Sequence, residues 1–222
     1  MSVTDLLSGF RIIDRKQSKY SGELTVVKDV AWGTYIKAGG LPQSGGLARK
    51  IWKKPLERVK NYDLRVEKIL ILGFGGGGMV GLIKKHWPDS RITGVDIDPA
   101  IVELGRKYIK WDSNNVEVAI EDGEKFVNNI TTQQHPLPNT NKYDLVLVDT
   151  YYGATFPEKF KKAGFTRRVK KVLNKNGVAV FNRLYGSEDR VRADKFGRML
   201  EKNFKSVESL QPVANIMFIC TK

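Results

Sequence analysis

From Lys68 onward, short continuous apolar runs alternate with stretches in which apolar residues recur every three or four positions. Continuous runs of this length are typical of strands buried on both faces, and the wider spacing is typical of amphipathic helices. The segments predicted as strands are Ile69–Leu72, a run that ends on Asp96, Val116–Ile120, Leu145–Val148 and Val178–Phe181. This alternation of strand and helix predicts a mainly parallel sheet covered by helices on both faces.

The end of the chain follows a different pattern. Two β-type runs, Lys205–Leu210 and Asn215–Cys220, are joined by a short loop that contains Pro212. A parallel connection needs a longer crossover, so these runs are expected to pair as an antiparallel hairpin. The predicted fold is therefore α/β, with a Rossmann-like, mostly parallel sheet of seven strands that an antiparallel C-terminal hairpin closes.

Residues 1–48 differ from the domain predicted over 49–222. Their β-type runs are short and are expected to form a small antiparallel β arm. These runs are Phe10–Asp14, Leu24–Lys28 and Thr34–Ile36. Glycines and a proline between residues 39 and 46 are expected to break regular structure, and Pro55 is expected to kink or restart the basic helix predicted over Leu47–Val59.

Composition narrows the class of protein. Of the 222 residues, 41% are hydrophobic, which suffices for a sizeable core. No apolar run approaches the roughly 20 residues that a membrane span needs, and the first residues lack the apolar core of a signal peptide. Cys220 is the only cysteine and the chain has two histidines, so we expect a cytoplasmic protein without disulfides, membrane partner or bound metal.

The formal net charge of +14 would attract polyanions, and nucleic acid is therefore one potential partner. The basic residues are nevertheless spread over several predicted helices, where they alternate with apolar positions. Solvated helix faces in a basic protein are the simpler explanation of this distribution.

The glycines at 73, 75 and 78 fit the pattern G-x-G-x-x-G directly after a predicted strand. Such glycines let the backbone turn tightly, approach a ligand and pack a helix against its strand. Asp96 follows about 20 residues later, where a carboxylate accepts hydrogen bonds from ribose hydroxyls. A plain tight turn is the alternative, but the order of strand, glycines, helix and strand-terminal acid favours a nucleotide site.

Three aspartates end predicted parallel strands and should meet at the carboxyl edge of the sheet, where ligands bind in such folds. Asp96 is expected to bind ribose, Asp122 to accept from the exocyclic amine of adenine, and Asp149 to face the reacting centre. Taken singly, each could be a helix cap or a solvated strand end. The glycines alone would also allow an NAD-dependent dehydrogenase, but the closing hairpin and Asp122 favour a methyltransferase-type sheet.

Several stretches resemble successive motifs of the class I S-adenosylmethionine-dependent transferases, and specifically of the spermidine synthase family. They are ILGFGGGG, GVDIDPAIVELGRKYI, VAIEDGEKFV and YDLVLVDTYY, together with GGLPQSG after the β arm and the ending FKSVESLQPVANIMFIC. The resemblance implies a class I methyltransferase fold and a site for S-adenosylmethionine or its decarboxylated form. It also implies that the arm could contribute to a homodimer.

The resemblance assigns a part of the cofactor to each matching position. It places Gln43 with Gly73, Gly75, Gly76 and Gly78 near the aliphatic tail, Asp96 on the ribose, Ile97 on the adenine and Asp122 on the adenine amine. Gly123, next to Asp122, is also expected to bind the cofactor. Asp149 matches the first active-site acid of the family and also borders the cofactor.

Departures from the family pattern bear on the reaction. Members that transfer aminopropyl groups carry an aspartate where this chain has Gly76 and a second acid where it has Tyr152, and their acid-rich segment is replaced by SGGLARKIWKK. A polyamine is a multiply charged cation, so its pocket should contain carboxylates.

The absence of these acids favours methyl transfer to an unidentified small or anionic acceptor. Asp149 would orient or deprotonate the acceptor, and Tyr152 would serve as an aromatic wall or hydroxyl partner. Two alternatives stay open: aminopropyl transfer from decarboxylated S-adenosylmethionine, and a non-catalytic protein that binds an adenosyl ligand or nucleic acid.

Overall fold

The structure is a computed structural model that describes residues 9–132, 142–153 and 155–222. The first eight residues of the predicted arm lie outside the described residues. The described chain forms a four-stranded N-terminal sheet and a seven-stranded sheet. None of its helices is long and apolar enough to cross a membrane.

The N-terminal sheet is antiparallel, with its strands in chain order. Its strands are β1 (Phe10–Ser18), β2 (Gly22–Asp29), β3 (Gly33–Ala38) and β4 (Leu41–Gly45). Strand β4 was not predicted. Gly39 and Gly40 have φ angles of 54° and 80°, and this pair forms the two-residue hairpin turn rather than a break. Pro42 is tolerated because β4 is an edge strand.

Helix α1 (Gly46–Lys60) follows directly and runs through Pro55 as one helix rather than restarting there. Its buried face comprises Trp52, Pro55, Leu56 and Val59. These side chains pack into the core beneath the large sheet, so α1 is fixed beside the carboxyl ends of its strands.

The large sheet has the strand order β10-β11-β9-β8-β5-β6-β7. The strands are β5 (Lys68–Leu72), β6 (Arg91–Asp96), β7 (Val116–Ile120), β8 (Tyr143–Val148), β9 (Leu173–Leu184), β10 (Ser206–Leu210) and β11 (Asn215–Thr221). Strands β5 to β9 pair in parallel, whereas β11 is antiparallel to both β9 and β10. The predicted fold class, including the closing hairpin and the small β arm, is confirmed.

In the described part of the chain, five further α-helices cover the two faces of this sheet. They are α2 (Val80–His86), α3 (Pro99–Leu104), α4 (Gly123–Thr131), α5 (Ala163–Val172) and α6 (Arg190–Glu201). Along β8, Leu145 and Leu147 join the apolar cluster that includes the arm, and Val146 and Val148 join the cluster on the opposite face. The sheet is buried on both sides, which explains its continuous apolar runs.

Hydrogen bonds to one buried carboxylate fasten the arm to the large domain. The hydroxyls of Ser18 and Ser21 donate to Asp98 Oδ2 at 2.5 and 2.8 Å. The other oxygen of Asp98 accepts from the backbone N–H of Ala100 at 3.0 Å and so caps α3. Asp98 therefore holds both the first turn of α3 and the connection between β1 and β2.

We predict that Ser18→Ala destabilises the protein. Ser18 and Asp98 are only 4% and 3% exposed, so the carboxylate would lose a donor that water cannot easily replace. The expected loss is about 1–3 kcal/mol, which lowers the Tm by roughly 2–4 °C per kcal/mol in a chain of this size. Thermal unfolding followed by circular dichroism measures it.

Ser206→Ala is the matched control, because the Ser206 hydroxyl is also bonded to a side chain, Thr221 Oγ1 at 2.7 Å, but is exposed. Its effect should stay within about 0.5 kcal/mol. Equal Tm values for the two variants would contradict the anchoring role of Asp98.

Candidate active site

The turn after β5 passes very close to the ends of its neighbouring strands. Gly73 has a φ of 84°, and a Cβ there would lie 2.2 Å from the Asp149 carbonyl oxygen. The N–H groups of Gly73 and Phe74 both donate to the Val95 carbonyl, at 2.9 and 3.0 Å. Glycine is therefore required at position 73, where the loop runs between the ends of β6 and β8.

The second half of the loop is held by β6 and by the arm. Gly75 N–H donates to Asp96 Oδ2 at 2.6 Å, and Gly78 N–H donates to Ser44 Oγ at 3.1 Å. A Cβ at Gly78 would lie 2.5 Å from the backbone nitrogen of Gly45. Strand β4, which carries Gln43, consequently sits against the glycine loop.

Asp96 ends β6 as predicted. Each of its two carboxylate oxygens accepts a hydrogen bond from a backbone N–H group. Besides the bond from Gly75, its Oδ1 accepts from Asp98 N–H at 2.9 Å. Burial raises the pKa of Asp96 to about 6 against these favourable bonds. The backbone of Ile97 also favours the ionised form, and the carboxylate, with about four acceptor positions, keeps capacity for a ribose hydroxyl.

Asp122 is engaged by the protein itself. Its Oδ1 accepts from Glu124 N–H and Lys125 N–H at 3.0 and 3.1 Å, which caps α4, and its Oδ2 forms an ion pair with Lys159. Burial opposes ionisation, but the hydrogen bond from Lys159 and the backbone bonds outweigh it, and the pKa of Asp122 lies below its ordinary value. Adenine would reach this carboxylate only by sharing or displacing Lys159.

Asp149 ends β8 in a network that the sequence alone did not reveal. Trp52 Nε1–H donates to Asp149 Oδ2 at 2.8 Å, and Asn182 Nδ2 donates to Oδ1 at 2.7 Å. Asn215 Nδ2 in turn donates to Asn182 Oδ1 at 2.8 Å. Burial raises the pKa of Asp149, although both side-chain bonds favour the ionised form.

One of these partners was accessible to sequence reasoning. Asn182 directly follows the predicted apolar run that ends at Phe181, and because Phe181 pairs with Val148 it lies beside Asp149, although β9 continues to Leu184. The three aspartates were predicted as site residues because they follow predicted parallel strands. Asn182 also follows such a strand, but only acidic side chains were considered. Trp52 carried no such signal, because its contact with Asp149 joins residues 97 positions apart.

The two tyrosines after Asp149 occupy different positions. The Tyr151 hydroxyl accepts a hydrogen bond from Leu184 N–H at 2.7 Å, and its ring stands edge-on to Phe156. Tyr152 pairs with Thr155 through the backbone, and burial raises the pKa of its hydroxyl. Tyr151 thus ties this segment to β9.

A cavity of ≈ 250 Å³ lies at the carboxyl edge and brings most of the predicted residues together. It is lined by Gln43, Gly73, Gly75, Asp96, Asp149 and Tyr152. A smaller cavity of ≈ 40 Å³ shares Gly73, Asp96 and Tyr152 with it and adds Ile97, Asp122 and Gly123. Gly78 borders a third recess together with Gln43 and Asp149.

Gly76 has a packing role in the structure. A Cβ at this position would lie 2.7 Å from Ile36 Cδ1 of β3, and Gly105 packs against the Gly76 backbone. An aspartate here would need the end of the Ile36 side chain to move. In the described residues, no group of three or more His, Cys, Asp or Glu side chains is arranged to hold a metal.

The donor and acceptor set fits an adenosyl cofactor in part. The glycines offer a surface without Cβ atoms, and Asp96 keeps acceptor positions for the ribose beside Ile97. The region of Asp122 and Phe160 is narrow, so the adenine requires an adjustment of the Lys159 side chain.

Residues 49–215 match the family model described as the spermine/spermidine synthase domain. The chain is 28% identical over 150 residues to a polyamine aminopropyltransferase of Vibrio vulnificus, covering 65% of this chain and 48% of the relative. It is also 28% identical over 132 residues to the eEF1A lysine and N-terminal methyltransferase of Mus musculus, covering 57% of this chain and 19% of the relative. The chain thus spans about half the length of the first relative and a fifth of the second.

Two solved structures share the fold. A spermidine synthase in complex with the transition state analogue AdoDATO has a TM-score of 0.77 at 18% identity, covering 96% of this chain and 74% of that chain. Human methyltransferase-like protein 13 in complex with SAH has a TM-score of 0.60 at 22% identity, covering 78% of each chain. These likenesses confirm the class I methyltransferase type of sheet. Because the family match extends over well over half of the 222 residues, the chain belongs to the spermine/spermidine synthase domain family, as its motifs indicated.

Proposed function

We propose that the protein is a transferase that binds an adenosyl-sulfonium cofactor and transfers an alkyl group from its sulfur to an acceptor nitrogen. The observation that carries this proposal is the single cavity into which the glycine loop, Asp96 and Asp149 all converge. The family match adds support, because the relatives named above are aminopropyl- and methyltransferases.

Aminopropyl transfer from decarboxylated S-adenosylmethionine is the first candidate reaction. The matched family and the first relative favour it over the methyl transfer predicted from the missing acids. Methyl transfer is the second candidate. It is favoured by the position of Gly76, which lies packed against the arm and leaves no carboxylate in the loop for the terminal ammonium of an aminopropyl tail.

The protein contributes mainly positioning and proton handling to either reaction. When bound, the cofactor supplies a carbon made electrophilic by its sulfonium; the acceptor lone pair forms the N–C bond, and the electrons of the breaking C–S bond stay on sulfur. Asp96 holds the ribose, and in-line orientation of the two reactants provides much of the rate.

Asp149 takes the proton that the acceptor nitrogen loses. Its raised pKa brings this carboxylate closer to working pH, which suits a general base. Trp52 and Asn182 each bond one carboxylate oxygen and so fix its orientation, and Asn215 fixes Asn182.

Cofactor choice is tested by calorimetric titration with decarboxylated S-adenosylmethionine, S-adenosylmethionine, methylthioadenosine and NAD. We expect the adenosyl-sulfur ligands to bind and NAD not to bind, with the decarboxylated cofactor preferred by about 10-fold, a free-energy difference of about 1.4 kcal/mol. A preference for S-adenosylmethionine would select methyl transfer. Binding of neither sulfonium compound would overturn the proposed function.

Cofactor affinity should fall as the pH drops below about 6. The ionised form of Asp96 accepts the ribose hydroxyls, and its pKa is about 6, so protonation removes the better acceptor. The same shift acts in the opposite direction on stability: the folded pKa exceeds the unfolded value of 3.8, so this group stabilises the fold increasingly as the pH falls from 7 toward 4. Protonation of Asp96 at pH 5.5 therefore favours the folded state, and weaker cofactor binding at that pH would not result from a loss of stability caused by Asp96.

Asp96→Asn should weaken binding by about 100-fold at pH 7.5 and abolish the pH dependence between 5 and 7. Asp89→Asn removes an exposed carboxylate from the turn before β6 and serves as the matched control. Unchanged affinity in Asp96→Asn would disprove the assignment of the ribose to Asp96.

Trp52→Phe should move the acidic limb of the kcat/KM profile to higher pH. The indole N–H stabilises the ionised form of Asp149, so its loss raises the pKa of this carboxyl further, while phenylalanine keeps an aromatic ring in the core. Trp87→Phe, a half-buried tryptophan at the end of α2, is the control. A lower rate with an unshifted profile would assign Trp52 to packing alone.

A further inference from the structure

We propose that the acceptor carries its reactive nitrogen on an apolar body and bears no second positive charge. This inference rests on the proposed function and names the substrate class of the same cavity. It departs from the polyamine substrates that the names of several relatives state.

The wall of the cavity that α1 contributes is apolar. Leu47, Ala48 and Ile51 line it and are only partly buried, whereas Trp52 and Leu56 on the same helix are fully buried. An otherwise basic helix therefore turns three apolar side chains toward the cavity. Leu184 and Ala214 extend this apolar lining from β9 and from the loop before β11.

Each acid in the lining already accepts hydrogen bonds from the protein. Asp98 accepts from two serine hydroxyls and caps α3, and Asp149 accepts from Trp52 and Asn182. Asp96 accepts from Gly75 and from the backbone of Asp98. Asp149 can serve the reacting nitrogen, but the described lining holds no further carboxylate for a distant ammonium, and a buried cation without a partner is strongly disfavoured.

Charge around the cavity also opposes a polycation. Arg49 lines the recess that borders Gln43 and Asp149, and Lys50, Lys53 and Lys54 are exposed on the same helix. With a formal net charge of +14, the surface lowers the local concentration of multiply charged cations.

At the opening of the cavity, the apolar residue Val213 has an unfavourable backbone conformation. Val213 has a φ of 56°, a left-handed conformation that is rare for a β-branched residue, and it is 66% exposed. Leu41, on the edge strand β4, also lines the cavity and is 45% exposed. Strained residues cluster at ligand sites, and these two side chains would cover the part of an apolar acceptor that extends toward solvent.

The test compares n-pentylamine with 1,4-diaminobutane as acceptors, using the cofactor that calorimetry selects. The two amines have the same length, and one ends in a methyl group where the other has its second ammonium. We expect the KM of n-pentylamine to be lower by about 10-fold or more. An equal or lower KM for 1,4-diaminobutane, or no saturable transfer to n-pentylamine, would overturn the inference. Failure of the proposed function has a separate signature, the absence of cofactor binding.

Two variants tie the preference to the cavity wall. In Val213→Asn, the new side chain is similar in size and polar, and asparagine tolerates a positive φ. This variant should preserve the Tm and the cofactor Kd but raise the KM of n-pentylamine about 5-fold. Ala48→Glu adds a carboxylate to the wall and should reverse the preference toward 1,4-diaminobutane. Lys85→Gln, exposed on α2, makes the same change in net charge away from the cavity and should leave both KM values unaltered. A preference that neither wall variant moves would show that acceptor selection lies elsewhere.

Discussion

The close passage of the glycine loop between two strand ends is the constraint on which the rest of the site depends. At Gly73, the absence of a Cβ lets the loop pack on the Asp149 backbone, and at Gly78 it lets β4 of the arm approach to contact distance. The loop N–H groups are thereby bonded to Val95, Asp96 and Ser44. Backbone geometry therefore fixes the relative positions of β6, β8 and the arm before any ligand is bound.

The acids of the site are divided between structural and chemical tasks. Asp98 joins the arm to α3, and Asp122 caps α4 and binds Lys159. Asp96 and Asp149 keep unused acceptor positions, and burial raises the pKa of both. A raised pKa suits the roles proposed for these two carboxylates, a hydrogen-bond acceptor and a base that work near neutral pH.

The sequence predicted the large sheet well, because strands buried on both faces leave continuous apolar runs. The prediction from sequence was incomplete where a local pattern is compatible with more than one structure. Gly39-Gly40 forms a hairpin turn that adds β4, and β9 spans Leu173–Leu184, beyond both ends of the predicted run Val178–Phe181. The contacts of Asp149 with Trp52 and of Asp122 with Lys159 join distant segments, and such contacts leave no periodic trace in a single sequence.

The two sides of the cavity to which the proposed function assigns the cofactor and the acceptor differ in how readily substitutions can alter them. The cofactor side is built from backbone contacts at glycines, where any side chain at Gly73 would collide with the main chain of Asp149. The acceptor side consists of side chains on α1 and β9, such as Leu47, Ile51 and Leu184, which can be exchanged without moving the helix or the strand. A family that keeps its cofactor while changing its acceptor should therefore vary on this second wall.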